Sequence, residues 1–263
     1  MKFYKYQGTG NDFVMIDNRS MQFPAGNTAL INLLCDRRFG IGADGLILLE
    51  DTPGYDFKMV YFNADGREST MCGNGGRCIA AFAKFLGIAN DETDFLAIDG
   101  PHKASFADGK VYLQMKDVLQ FECRESDYVL NTGSPHYVIF VKDLSKVSII
   151  EEAHKIRHNH EFHKDGINVN FVQIIDSGKI KVRTYERGVE DETFSCGTGV
   201  VAAAISNFLK VNKSVDGLQE VITSIEVKGG ALEVSFLINE NLHAGNVTLI
   251  GPAEQVFSGE IKI

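Results

Sequence analysis

The sequence predicts an α/β fold of the α+β type. It has two pseudo-symmetric halves, each a mixed, mainly antiparallel sheet wrapped around a central apolar helix. Three observations carry that expectation. Short alternating or apolar runs of strand length dominate the chain and are separated by Gly, Asp or Asn turns. Two Ala-rich segments, 79–86 and 200–209, are apolar around nearly their whole circumference, which suits a helix only when other elements enclose it. Each follows a near copy of one loop, Met71-Cys72-Gly73-Asn74-Gly75-Gly76 and Ser195-Cys196-Gly197-Thr198-Gly199. A glutamate stands four residues before the cysteine in both, Glu68 and Glu192.

In chain order, the runs 3–6, 12–17, 46–50, 57–62 and 110–115 read as strands. So do 137–141, 170–175, 179–185, 224–227, 231–236 and 246–250. Ala107-Asp108-Gly109 and Gly229-Gly230 are turn signals. Asn27 can cap a helix whose face is Leu30, Leu33 and Leu34, with Gly40 beyond its end. Residues 145–157 place Ile149, Ile150, Ala153 and Ile156 at helical spacing. The first post-cysteine helix should stop at Gly87. Phe13-Val14-Met15-Ile16 is paralleled by Phe171-Val172-Gln173-Ile174, although the first lies roughly twice as far from its cysteine. No Pro- or Ser-rich linker marks the join, placed near 117–127, so the expected halves are 1–117 and 118–251, packed directly.

A net charge of −9 and the lack of a basic run argue against nucleic acid, whose phosphates need clustered Lys and Arg. No stretch approaches the roughly 20 apolar residues of a membrane span, and the first residues lack a signal-peptide core. The expectation is a cytoplasmic protein with reduced thiols and no membrane partner. Five cysteines without C-x-x-C spacing fit no complete disulfide framework. Of these, Cys35, Cys78 and Cys123 read as packing residues.

Gly40-Ile41-Gly42-Ala43-Asp44-Gly45 matches the dinucleotide pattern letter for letter, but a helix precedes it and a strand follows. That context is reversed, so a helix end plus a tight turn is the better reading. His154, His158, His160 and His163 invite a metal, yet no carboxylate or thiol completes a site at the usual spacing. No metal is expected.

The two cysteine loops carry the chemistry. A cysteine before Gly-X-Gly at a helix start meets free amides and the positive helix end, which favour a thiolate and can also hold a carboxylate beside it. Two such thiols suggest one anionic substrate, one thiol removing a proton and the other supplying one. His136, just after Pro135, is a candidate base for a thiol. Glu186-Arg187 end a strand, with Arg187 nine residues before Cys196; Asn63 occupies the same slot before Cys72. That correspondence favours a ligand role for both.

These residues, with Gly8-Thr9-Gly10-Asn11-Asp12-Phe13, Asn63-Ala64-Asp65-Gly66, Gly133-Ser134-Pro135-His136, Asn168-Val169-Asn170-Phe171 and Glu186-Arg187-Gly188, resemble the diaminopimelate epimerases, cofactor-independent amino-acid racemases. The resemblance runs nearly end to end. It implies that family's fold, with substrate in the cleft between the halves and a final strand, 252–263, returning to the first half. It implies that Cys72 and Cys196 are the acid–base pair, with His136 and Glu186 each assisting one thiol. Asn11, Asn63, Asn168, Glu186 and Arg187 would meet the substrate side chain, and Gly73, Asn74, Gly197 and Thr198 its backbone end. LL-2,6-diaminopimelate would become the meso form, in the biosynthesis of lysine and peptidoglycan precursors, with no cofactor, in a homodimer. Two positions depart from some members: Ser134 stands where an asparagine contacts the distal end, and Gly45 where glutamine is common.

Overall fold

Residues 1–212 and 214–262 are described by a computed structural model. They fall into two units, Met1–Leu113 with Gly251–Ile263, and Gln114–Ile250. The first boundary lies at Leu113 rather than 117. Met115 N–H donates to Val247 O at 2.7 Å and Val118 bridges Ala244, so residues 115–118 are bonded within the second unit.

The first unit contains β1 (Lys2–Gly8), β2 (Asn11–Asp17), α1 (Thr28–Cys35), β3 (Gly45–Glu50), β4 (Phe57–Asn63), β5 (Glu68–Ser69) and α2 (Gly73–Phe85). It continues with β6 (Glu92–Ala97), β7 (Gly100–Ala107) and β8 (Lys110–Gln114). Two parallel pairs, β2 with β3 and β4 with β6, are each joined through a helix, α1 and α2. The other neighbours pair antiparallel. β3 is buried at all six positions. Leu46 and Leu48 meet the α1 side chains Ile31 and Leu34, while Ile47 points at the start of α2. A strand covered on both faces reads as a continuous apolar run, which is why Leu-Ile-Leu-Leu shows no alternation.

The second unit runs β9 (Phe121–Arg124), β10 (Asp127–Asn131), β11 (Pro135–Phe140), α3 (Ile149–Arg157), β12 (Asn168–Asp176), β13 (Lys179–Glu186) and β14 (Asp191–Thr193). It ends with α4 (Gly197–Val211), β15 (Gln219–Val227), β16 (Gly230–Ile238) and β17 (Ala244–Gly251). Again two parallel pairs, β11 with β12 and β13 with β15, enclose the helices α3 and α4. The last strand, β18 (Glu254–Glu260), pairs antiparallel with β1 of the first unit.

Strand for strand, β10 to β17 repeat the pairing of β1 to β8. Cys196 and Cys72, Asn168 and Asp44, and His136 and Asp12 are all separated by the same 124 residues. This register corrects the parallel drawn from Phe13–Ile16 and Phe171–Ile174. Their strands are not counterparts: β2 matches β11, and β12 matches β3. The alternative misled because apolar strand runs resemble one another regardless of their place in a fold.

Other expectations change in detail. Leu33 is 49% exposed, and the buried face of α1 is Ile31, Leu34 and Cys35. Cys123 is exposed rather than packed, because short β9 pairs with β10 at the end of the second unit's strand series. Strands β5, β6, β7, β9, β10 and β14 lacked clear alternation and were not anticipated. The Gly40 turn is a helix end: Gly40, Ile41 and Gly42 N–H groups donate to carbonyls of residues 34–36, and a Cβ on Gly40 would stand 1.9 Å from Leu33 O. Among the described residues, no helix is long and apolar enough to cross a membrane.

Candidate active site

Cys72 is the N-cap residue of α2. Its extended backbone (φ −103°, ψ 149°) turns the chain into the helix, and its Sγ accepts the Gly75 N–H at 3.2 Å. A sulfur that receives a helix-start amide is favoured as thiolate. The glycines permit the approach. A Cβ on Gly75 would lie 3.1 Å from Cys72 Sγ and 3.2 Å from Ile47 Cδ1, and one on Gly76 2.8 Å from Leu113 Cδ2.

Behind this loop lies Arg77, the largest side chain that is fully buried. Its guanidinium donates to Gly73 O (3.3 Å), Asn74 Oδ1 (3.2 Å), Thr9 Oγ1 (3.1 Å) and Pro252 O (3.3 Å). Burial pulls its pKa down to about 10, while the Cys78 and Cys72 thiols oppose that pull, so it is cationic at neutral pH. Asn74 Nδ2 in turn donates to Asn11 Oδ1 at 3.2 Å, and Asn11 Nδ2 to Asp44 Oδ2 at 2.6 Å. A single chain of donors thus runs from guanidinium to carboxylate through both asparagines. Arg37 bridges Asp44 and Asp12, each at 2.7 Å, and Lys5 pairs with Asp12 at 2.7 Å. Burial raises the Asp12 pKa, but Arg37 and Lys5 more than reverse it and hold the carboxyl well below its usual range.

Cys196 occupies the equivalent N-cap of α4, at φ −117° and ψ 111°, and is 7% exposed. Its Sγ stands 3.6 Å from Thr198 Oγ1, and that hydroxyl stands 2.9 Å from Nε2 of the fully buried His136. His136 thus reaches this thiol through the threonine. Burial, aided by the Arg187 charge, lowers its pKa to about 3, so the ring is neutral at physiological pH. Thr132 Oγ1 donates to Thr198 O at 2.9 Å and fixes the first turn.

The strand pleat places the remaining candidates. Asn168 and Asn170 alternate with Val169 and Phe171 on β12; the apolar pair packs with α3, so the amides project to the other face. Asn168 is buried and bonded to its own unit: Nδ2 donates to Ser134 Oγ (2.9 Å) and Pro135 O (3.0 Å), and Oδ1 accepts Arg187 N–H (2.8 Å). Arg187 is exposed just past β13 and donates to Asp165 O at 2.8 Å. Ser134 joins this cluster rather than leaving it open. Glu186, half-buried, ends β13 opposite Asp191. Asn63 ends β4, exposed, opposite Gly45. A Cβ on Gly45 would meet Phe62 O and Tyr61 Cε2, both at 2.6 Å, so the Tyr61 ring occupies the space a longer side chain would use.

The paired glutamates of the repeated pattern differ in their surroundings. Glu192 forms a two-point ion pair with Arg183 (both 2.7 Å), and Glu68 is exposed on β5. His154 Nε2 lies 3.2 Å from Tyr185 OH, and among the described residues no three His, Cys, Asp or Glu gather as metal ligands. Reasoning from the sequence passed over Arg77 and Asn170. The signal for Arg77 was present, a charge near the start of a largely apolar helix; Asn170 carried none beyond its place in a motif.

A family model described as diaminopimelate epimerase matches residues 3–118 and 128–255. A protein of that name from Flavobacterium psychrophilum is 53% identical over 262 residues, covering 99% of this chain and 100% of that protein. Another, from Chlorobaculum tepidum, is 41% identical and covers 97% and 99%. Among solved structures, a PhzF-family phenazine biosynthesis protein from Bacillus anthracis superposes with a TM-score of 0.76 at 14% identity, covering 100% of this chain and 99% of that one. A probable proline racemase from Agrobacterium radiobacter, solved with bound carbonate, gives 0.65 at 16% identity, covering 100% and 93%. At such identities the structures speak for the fold alone, and they bear out the mixed α+β architecture expected from the sequence.

Proposed function

Since the chain belongs to the diaminopimelate epimerase family, we propose that it inverts one α-carbon of LL-2,6-diaminopimelate to the meso form, reversibly and without a cofactor. The observation that carries this reading is the pair of cysteines at equivalent helix N-caps, 124 residues apart, each followed by Gly-X-Gly.

The α-hydrogen of an amino acid is weakly acidic, so the negative charge that develops on loss of its proton must be stabilised by the protein. The amides of the first turns of α2 and α4, at Gly73, Asn74, Gly197 and Thr198, are the groups we assign to the substrate carboxylate. One thiolate removes the α-proton; the new C–H bond forms with the proton of the other thiol on the opposite face, which inverts the centre and exchanges the roles of the two sulfurs. The pair titrates as a unit. Arg77 favours the thiolate at Cys72 by its charge and by holding Gly73 and Asn74 in place. Arg187, exposed beside Ser134 and Asn168, suits a bidentate grip on the distal carboxylate, and Asn11 and Asn63 suit the distal polar groups. Glu186 is assigned to the polar surround of the same end and of one thiol. The active form we propose is a homodimer in a reducing compartment.

Following solvent deuterium into diaminopimelate tests the reading. Wild-type protein should label the α-carbon and interconvert the LL and meso forms. Labelling of proline or hydroxyproline instead, with diaminopimelate untouched, would replace this substrate with another.

A further inference from the structure

We propose that Asn170 sets the tautomer of His136, so that this histidine presents an N–H to Thr198 and acts as a hydrogen-bond donor behind the Cys196 thiol rather than as a base. The argument starts from the carboxamide. Asn170 Nδ2 lies 3.2 Å from Tyr137 O, and a carbonyl can only accept, so the nitrogen must be on that side. The Asn170 oxygen then faces the Thr184 hydroxyl, which donates to it at 2.9 Å. Tyr137 O therefore assigns the amide independently of the histidine, and the Thr184 hydroxyl, able to donate or accept, agrees with that orientation.

The same Nδ2 stands 3.0 Å from His136 Nδ1. An amide N–H directed at a ring nitrogen requires that nitrogen to be bare, which leaves the proton of the neutral ring on Nε2. Nε2–H then donates to Thr198 Oγ1, 2.9 Å away, and the threonine hydroxyl is left to turn its own proton toward Cys196 Sγ at 3.6 Å. The donor sequence runs Asn170, His136, Thr198, Cys196. It ends on a sulfur that accepts best as thiolate, the state it takes after giving up its proton. The groups facing His136 are Asn168 and Asn170 from β12, Thr198 from α4, and Arg187 after β13. Asn168 Nδ2 lies 3.5 Å from Nε2, but its two N–H groups go to Ser134 Oγ and Pro135 O, so it does not require Nε2 to be bare. The Arg187 charge opposes an imidazolium there, as does burial.

The second glycine of the loop follows from the same contact. A Cβ on Gly199 would stand 2.5 Å from Asn170 Oδ1, so only glycine lets the first turn of α4 close onto this amide.

The kinetic part of this proposal rests on the epimerase reading; the tautomer does not. Nitrogen-15 NMR of the His136 ring in substrate-free protein should show a bare Nδ1 and a protonated Nε2 at neutral pH. Asn170→Asp puts an acceptor against Nδ1 and should move a proton there. That variant should lose about tenfold or more in kcat, the size expected for one hydrogen bond to a charged group, with a smaller change in KM. Thr198→Val should lose kcat while keeping the wild-type ring spectrum, and Thr198→Ser should recover it. A wild-type spectrum with Nδ1 protonated overturns the proposal even if no variant folds. So does Asn170→Asp with a switched ring and wild-type kcat. A correct ring in a protein inert toward diaminopimelate would instead sink the substrate assignment and leave the tautomer standing.

Discussion

Cys72 and Cys196 cap equivalent helices in equivalent βαβ units, yet the side chains behind them are of different kinds. Arg77, Asp12 and Asp44 in the first unit stand where Val201, His136 and Asn168 stand in the second. The first loop is backed by a buried guanidinium and a chain of donors that ends on a carboxylate. The second is backed by a neutral imidazole, two amides and a hydroxyl. A duplicated backbone supplies two helix-start thiols of like geometry. Substitution within the copies then makes their electrostatics unlike. A proton-shuttling pair needs one thiol and one thiolate, because two thiolates cannot donate and two thiols cannot abstract, and unlike surroundings bias which sulfur holds the shared proton at rest.

The strongest way to break this comparison is at the sulfurs. Cys72→Ser and Cys196→Ser should each reduce epimerisation by more than about a hundredfold, the lower end of what general acid–base catalysis contributes. Near-normal turnover by either, measured by deuterium exchange, would show that one thiol suffices. Next comes Arg77. Arg77→Met should raise the acid limb of the kcat/KM profile by about one pH unit, equivalent to about tenfold at a fixed acidic pH. Arg77→Lys should keep the position of the limb while losing stability, since lysine cannot make the four-point contact. An unchanged profile in Arg77→Met would mean the two thiols share one electrostatic setting.

The glycines sharpen the comparison further. Gly199→Ala meets Asn170 Oδ1 at 2.5 Å, whereas Gly75→Ala meets the Cys72 sulfur and the Ile47 methyl at 3.1 and 3.2 Å. Overpacking of the first kind should cost about 1–3 kcal/mol in denaturant unfolding, and the second less. Equal losses would argue that the two first turns are packed alike.

A last contrast concerns pH. His136 is held at about pKa 3 by burial, below the ordinary value near 6.5, so the unfolded chain binds a proton the folded one refuses. Its contribution to stability is complete above the ordinary value and is lost as pH falls from there toward 3. Thermal melts of the wild type should therefore drop more steeply than those of His136→Gln between about pH 6.5 and 4. Parallel curves would place the imidazole in water.

Much of the site was legible because loop chemistry is local. A cysteine, two glycines and an apolar helix need only their own sequence to declare a helix-start thiol, and both copies did so. The strands β6 and β7 were not legible, since their residues alternate imperfectly: β7 carries Pro101, His102 and Lys103 with one buried side chain in eight. Arg77 was written into the first motif, but its burial depends on Thr9 and Pro252, which lie far along the chain. Asn170 looked like an ordinary polar residue of a strand until Tyr137, Thr184 and His136 surrounded it.

What the amino-acid order determined by itself was the pair of cysteine-bearing helix starts, the enclosed helices after them and the family the chain joins. Each of these follows from residue type at short spacing, where propensity, capping and steric freedom act on neighbouring residues. Tertiary structure alone decided which strand matches which, where the buried cation sits, and which nitrogen of His136 carries its proton. Those depend on hydrogen-bond partners tens of residues away, and a donor or acceptor acquires its direction only when folding brings the other half of the bond within about 3 Å.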